Sequence, residues 1–251
     1  MSDQPKQSLY GESNAPDVGQ DKPLEFMELI SGVFSEPVET FKRLSKMPQW
    51  VGAMLLIIAF GLVFSIAWLA RVDLPEFLRM TFERAQPNLS SAQLDQAVEA
   101  TVKITQVSTI AGGLFGVPVM IFFLGLLYWA VGLISGEDAK RRPSYQHGLV
   151  VAVIPRLATV PYMLLGTIMA FINPVGTFRP DQIVPSSLEY WIQSDNPKLS
   201  ALYSSIDLFQ LFQYALIFIA AKYALKAKTW GAALCVALTL LAALAPVLFA
   251  R

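Results

Sequence analysis

The chain has 251 residues, 54% of them hydrophobic, and a formal net charge of zero. The balanced charge gives no indication of a nucleic-acid partner, and a single cysteine, Cys235, excludes an internal disulfide. Nearly half of the residues lie in five long apolar stretches, so no remaining segment has the usual size of a separate soluble catalytic domain.

The first 23 residues are polar and contain no apolar run of the kind that forms a cleavable signal peptide. Such a composition cannot bury enough apolar surface to offset the entropy of ordering, so residues 1–23 are expected to form a disordered cytoplasmic tail. The membrane domain is then expected to cover residues 24–250.

Residues 24–47 predict two short amphipathic helices. Apolar side chains recur at helical spacing on both sides of Pro37 and form one face, namely Phe26, Leu29, Ile30, Val33, Val38, Phe41 and Leu44. One interpretation is an interfacial pair on the inner leaflet, with Lys42, Arg43 and Lys46 near anionic headgroups. The other is a pair that packs under the helix bundle.

The five apolar stretches predict the fold class. Each holds 21 to 25 residues, and an α-helix needs about 20 residues to cross a bilayer. The sequence therefore predicts an all-α integral membrane bundle of five transmembrane helices with N-terminal interfacial amphipathic helices. The predicted spans cover approximately Trp50–Ala70, Ile110–Ile134, Gly148–Ile172, Ala201–Ala224 and Trp230–Ala250.

The basic residues orient these spans. Three short segments on one side hold nine cationic residues, which are Lys42, Arg43, Lys46, Lys140, Arg141, Arg142, Lys222, Lys226 and Lys228. The opposite side holds only seven in longer segments. Because cytoplasmic loops carry the excess of lysine and arginine, the N-terminus is predicted to be cytoplasmic and the C-terminus outside. Of the two long outer loops, Arg71–Thr109 predicts two amphipathic helices, and the second of these continues toward span two.

Two charged residues within the predicted spans form a candidate polar site. Arg156 lies near the middle of span three, between Pro155 and Pro161, which are expected to kink the helix and free backbone carbonyls. A charged side chain at that depth is costly and usually faces the bundle interior or a wet cavity. Asp207 lies in span four, where it either pairs with Arg156 or caps the outer end of its helix. Whether this site is functional or only stabilises the bundle stays open.

Span two contains Gly112 and Gly116, whose spacing allows close approach of a second helix, either in a homo-oligomer or within the chain. The only histidine, His147, lies at the inner mouth of span three and cannot build a histidine-based metal site alone. No phosphate-binding loop or zinc-protease motif is present. We therefore predict no catalytic residues, no metal and no cofactor.

Three segments in this order resemble the Yip family of Ypt/Rab-interacting membrane proteins. They are Gly32–Phe41 followed by Met47–Trp50, then Tyr145–Leu164 with its two prolines, and Ser205–Phe212. The last is similar to the family's Asp-x-Phe-x-x-Trp run, with Phe212 in place of the tryptophan. The resemblance implies a five-helix bundle with a cytoplasmic N-terminus, and in eukaryotic members it implies binding of Rab GTPases. The short region before span one is more similar to prokaryotic members.

These observations favour a non-enzymatic multi-pass scaffold or adaptor in a bacterial cytoplasmic membrane, with a role in membrane organisation or trafficking. Its expected partners are the lipid bilayer and a membrane protein or small GTPase-like protein. The alternative is a small channel or permease with a polar path near Arg156 and Asp207.

Overall fold

The computed structural model describes residues 22–86, 88–137, 142–173, 175–176, 179–180, 183–192, 194 and 196–248. Residues 1–21 of the predicted tail lie outside this range. The described residues form α-helices and contain no β-strand, which confirms the all-α class. The helices are α1 Phe26–Ser35, α2 Pro37–Leu44, α3 Val51–Arg71, α4 Leu74–Ala85, α5 Ser91–Ala111, α6 Val117–Ser135, α7 Tyr145–Val153, α8 Val160–Ile172, α9 Leu188–Trp191, α10 Pro197–Ser205, α11 Leu208–Tyr223 and α12 Thr229–Leu248.

Three of the predicted spans are helical stretches that are long and apolar enough to cross a membrane. They are Val51–Arg71, Ser91–Ser135 and Tyr145–Ile172. Span two is one helix of 45 residues, because a π-helical turn at Gly112–Gly116 joins α5 to α6 without a break. Span three is also continuous, and its middle turn, Ile154–Thr159, is a 3₁₀-helix. The other two predicted spans correspond to apolar helices that are shorter over the described side chains, α11 and Thr229–Leu244 of α12.

The predicted span over residues 201–224 is not one helix. It is divided at Ile206 and Asp207 into α10 and α11, and Asp207 adopts an extended conformation. The physical reason is capping, because the Asp207 carboxylate accepts hydrogen bonds from the backbone N–H groups of Phe209 and Gln210, at 2.8 and 3.2 Å. At 16 residues, α11 is about 24 Å long, which is shorter than the hydrocarbon core of roughly 30 Å.

Close helix approach explains how spans two and three pack. A Cβ atom added to Gly148 would lie 2.2 Å from the backbone oxygen of Gly125 and 2.9 Å from the Cβ of Trp129. The two backbones therefore touch at a point that no side chain can occupy. Around this contact, the residues from Leu149 to Ile154 are fully buried in the main core of the bundle.

The N-terminal helices α1 and α2 form a hairpin that is inserted into the bundle. Their apolar faces, with Leu29, Val33, Phe41 and Leu44, are buried in the same core as spans three and four. The turn between them lies deep, since α1 contacts Ile154–Thr159. The ring of Phe34 stacks on Phe212 with centroids 5.9 Å apart. We call this pair the N-terminal hairpin.

Burial of this apolar face in the core agrees with helices that pack against the bundle, and the interfacial position of the pair stays a prediction, since one helix pair can satisfy both. Two contacts fix the open end of the hairpin. Ser45, at the end of α2, bonds His147 at the start of span three, and Phe26 of α1 lies against Gly52 at the start of span one. The 3₁₀ turn begins nine residues after Tyr145, so the hairpin turn lies about 14 Å deeper than these ends.

The predicted outer helices are α4 and α5, which pack on each other and form a second pair, the outer hairpin. Asp73 caps α4 by accepting a hydrogen bond from the N–H of Glu76. Ser90 and Gln93 form the expected capping box of α5. The buried side chains of this pair form their own small cluster, separate from the main core, with Trp68, Val72, Leu74, Leu78 and Val98.

Candidate functional site in the bundle

The 3₁₀ turn in span three determines the environment of Arg156. In a 3₁₀-helix each N–H bonds the carbonyl three residues earlier, which leaves the carbonyl four residues earlier without its usual partner. For Arg156 that carbonyl belongs to Ala152, and the Arg156 guanidinium donates to it through Nη1. Pro155 and Pro161 occupy the first turns of the 3₁₀-helix and of α8, where no intrahelical N–H is needed. The interruption of the α-helix in span three therefore contains Pro155, Arg156 and Pro161, the residues of the predicted candidate site.

Asp207 occupies a different place. Its carboxylate caps α11 and accepts a further hydrogen bond from the hydroxyl of Ser186, and the residue is 4% exposed. In the described part of the chain no ion pair joins Asp207 to Arg156. Thr159 donates its hydroxyl hydrogen to the Arg156 carbonyl at 2.8 Å and lines the cavity that holds Asp207. The two charged residues thus lie on either side of this threonine.

A cavity of about 320 Å³ lies at the outer end of spans three and four. Phe64, Tyr162 and Phe209 supply apolar walls, and Thr159, Asp207 and Gln210 supply polar groups. The buried hydroxyl of Ser187 also lines it and has no hydrogen-bond partner. The cavity is large enough for several water molecules. It gives Asp207 a polar surrounding on the outer side of the bundle, at a distance from the inner face.

The helix ends on the side that the sequence predicts to be inner, called the inner ends below, are joined by hydrogen bonds that the sequence did not indicate. The Nε2–H of His147 donates to the carbonyl of Ser45 at 3.1 Å, and Nδ1 accepts from the N–H of Ser144. The N–H of Glu137 donates to the carbonyl of Lys226 at 3.0 Å, and the N–H of Lys228 donates to Ser135 at 2.8 Å. These bonds join the N-terminal hairpin to the start of span three, and they join the end of span two to the connection between α11 and α12. The joined segments form one surface.

Two adjoining cavities open on this inner surface. One, of about 700 Å³, is lined by Lys46, Arg142, Lys226 and His147 among others. The other, of about 530 Å³, shares Lys46 and Lys226 and adds Lys42, Arg43 and Lys222 together with Glu39 and Glu137. The sequence predicted Lys42, Arg43 and Lys46 near anionic headgroups and used the other cations as topological markers, but it did not predict this cavity, because residues 46, 142 and 226 meet only through tertiary packing. We call these two cavities the inner basic cavity.

The remaining candidates have clear positions. A Cβ added to Gly112 or Gly116 would meet nothing within 4 Å, so these glycines face open space and do not serve close packing within the described chain. Cys235 is fully buried in the main core. Over the described residues, no group of three or more His, Cys, Asp or Glu side chains is placed to hold a metal ion.

Comparison with known proteins identifies the family. The Yip1 domain family matches residues 31–250, a range that includes all three motifs of the predicted resemblance. Membrane protein YknW of Bacillus subtilis (strain 168) is 24% identical over 188 residues, which cover 75% of this chain and 74% of that protein. No solved structure matches the chain. Since the family match extends over most of its length, the chain belongs to the Yip1 domain family of membrane proteins.

Proposed function

We propose that this chain is a non-enzymatic multi-pass scaffold or adaptor of a bacterial cytoplasmic membrane, with a role in membrane organisation. The observation that carries the proposal is the position of the N-terminal hairpin. Its buried side chains pack against spans three and four and join the main core of the bundle. A hairpin held in this way favours a protein that presents a surface to a partner.

The surface presented is the exposed side of the same hairpin. Met27 is 72% exposed and Phe26 is 44% exposed, beside the exposed carboxylate of Glu28. Because the opposite side of the hairpin is held in the core, this mixed apolar and acidic surface is rigid. Rigid apolar anchors next to charged groups are typical of binding surfaces. We propose a membrane protein or a small GTPase-like protein as the partner.

A photocrosslinking amino acid at position 27 tests the scaffold role in living cells. We expect one discrete protein adduct from position 27, and only lipid adducts from position 63, where Val63 is similarly exposed on span one. The adduct should be lost when Phe26→Ser is added, since Phe26 is the neighbouring partly exposed anchor. Lipid adducts alone at both positions would overturn the proposal.

We also propose five crossings, with the N-terminus in the cytoplasm and the C-terminus outside. In a Cys235→Ala background, single cysteines at positions 91 and 144 report the two sides. A membrane-impermeant maleimide added to intact cells should label position 91 and label position 144 only after lysis. The reverse pattern would invert the orientation.

A channel or permease is the second candidate, and Arg156 is the observation that favours it. Its guanidinium lies in the middle of span three with a backbone carbonyl as its hydrogen-bond partner. The outer cavity with Asp207 begins one turn away, at Thr159. Ion or solute flux into liposomes carrying the purified chain decides the question. If Arg156→Leu leaves that flux unchanged, this candidate fails.

A homo-oligomer through Gly112 and Gly116 is a further proposal about assembly. Both glycines face open space on a helix that continues beyond the apolar core. Gly116→Leu should abolish crosslinking between two copies, whereas the same change at a packed glycine would disturb the fold itself. Crosslinking that persists in Gly116→Leu would place any oligomer interface elsewhere.

A further inference from the structure

The lining of the inner basic cavity is rich in cationic side chains, which favours an anionic ligand. Nine described residues line its larger part; the cations among them are Lys46, Arg142 and Lys226, and none of these nine is a carboxylate. In its smaller part both carboxylates are already engaged, since Glu39 pairs with Lys42 at 3.1 Å and Glu137 pairs with Lys222 at 3.2 Å. Several cations facing one concave space repel one another, and an anion between them relieves that repulsion.

Three separate parts of the chain bring these cations together. Lys46 follows the N-terminal hairpin, Arg142 precedes span three, and Lys226 follows α11. The hydrogen bonds from His147 to Ser45 and from Glu137 to Lys226 hold the three segments in register. The cavity is therefore preformed, which reduces the ordering cost of binding a ligand.

The backbone of Lys226 adds an independent indication. Its φ is 53°, in the left-handed region that favours glycine and costs another residue about 1–2 kcal/mol. The N–H of Ala227 bonds back to the carbonyl of Ala221 at 3.1 Å, which fixes the turn that follows α11 and contains Lys226. A lysine held in that conformation, with its side chain lining both parts of the cavity, is typical of a functional position.

The position of the cavity selects the kind of anion. At the same end of the bundle Trp129 donates its indole N–H to the carbonyl of Pro143, and Tyr223 and Trp230 are partly exposed. Tryptophan and tyrosine at the ends of spans favour the level of the lipid headgroups. We infer that the inner basic cavity binds the phosphate of an anionic phospholipid headgroup. This inference does not depend on the scaffold role, because it concerns the purified chain in lipid.

Binding of a fluorescent phosphatidylglycerol to the purified full chain tests the inference, in nanodiscs made otherwise of phosphatidylcholine. A cation near a membrane surface contributes about 1 kcal/mol, so Lys226→Gln and Arg142→Gln should each weaken binding about fivefold. Lys226→Gly should weaken it equally, and it keeps the fold because glycine tolerates the positive φ. Lys103→Gln, which removes an exposed cation from the outer hairpin, is the matched control and should have no effect.

Equal binding by all four variants would overturn the inference. The source of the phosphate is tested by adding inorganic phosphate at increasing concentration and at constant ionic strength. Retention of the labelled lipid supports a headgroup site. Displacement at phosphate concentrations that leave Lys226→Gln unaffected would identify a free-phosphate site instead and overturn the assignment to lipid.

Discussion

The two amphipathic hairpins of the chain have similar sequence patterns but different positions in the structure. The N-terminal hairpin, α1 and α2, is buried in the main core beside spans three and four. The outer hairpin, α4 and α5, forms a separate cluster against the outer end of α3. Helical spacing therefore specifies which face of a helix is buried, whereas the space available between the spans decides where that face is buried.

Close contact between its helices distinguishes the N-terminal hairpin. A Cβ added to Gly32 would lie 2.4 Å from Oγ1 of Thr40, so α1 and α2 approach as closely as their backbones permit. Thr40 directs its hydroxyl to the carbonyl of Glu36 and is itself buried. The narrow pair of helices packs closely against spans three and four.

The largest expected difference between the hairpins follows from removal of one core side chain in each. Phe41→Ala should destabilise the whole bundle by about 3–5 kcal/mol, because Phe41 is fully buried in the shared core. Leu78→Ala should loosen only the outer hairpin. Cys235, the single buried thiol, reports bundle opening when the chain is heated with a thiol-reactive dye. Equal shifts of the melting temperature in both variants would show that the two hairpins share one cooperative unit.

The next effect concerns the close contact of α1 and α2. Gly32→Val should cost about 1–3 kcal/mol by forcing the helices apart, and it should displace the hairpin from the bundle. A cysteine placed at Val33, in a Cys235→Ala background, becomes reactive when the hairpin leaves. Gly61→Val is the matched control, since a Cβ added to Gly61 would meet only Cε of Met163 within 4 Å, at 4.0 Å. Unchanged reactivity in Gly32→Val would mean that the narrow contact does not determine the insertion.

These variants also indicate how far the sequence alone could lead. Spans one and three were predicted to within a few residues, because continuous apolar runs of sufficient length leave little choice. Arg156 stood out because a charge within such a run is costly. Capping by Asp207 was one of its two predicted roles, but the break before α11 was missed because residues 201–224 form one long apolar stretch in the sequence. The inner basic cavity was missed because its cations lie far apart in sequence.

A smaller effect should separate the helix caps that support the two hairpins. Asp207 caps α11, on which α2 packs, and Asp73 caps α4 of the outer hairpin. Asp207→Ala should cost about 1–2 kcal/mol, since the buried carboxylate serves two N–H groups and Ser186. Asp73→Ala removes one exposed bond and should cost less, about 0.5–1 kcal/mol. Thermal exposure of Cys235 checks the order, and the reverse order would contradict this role for Asp207.

The smallest effect is expected from the ion pairs that link the helices of each hairpin, Glu28 with Arg43 and Arg79 with Asp95. Arg43 donates to the Glu28 carboxylate and lowers the pKa of Glu28 from its usual value of 4.5. A lowered pKa in the folded state means that the stabilisation is present above pH 4.5 and is lost as the pH falls through the lowered pKa. Because both side chains are partly solvated, the contribution is small.

Acidification should therefore loosen the N-terminal hairpin slightly in the parent chain. In Glu28→Gln that pH-dependent component should be absent, because the amide has no proton to gain in this range. The reactivity of the cysteine at Val33 toward a disulfide reagent that works in acid measures the loosening. Asp95→Asn removes the corresponding pair from the outer hairpin and should leave the pH response at Val33 unchanged. A pH response that Glu28→Gln retains in full would have to come from another group, and the link between Glu28 and hairpin insertion would be wrong.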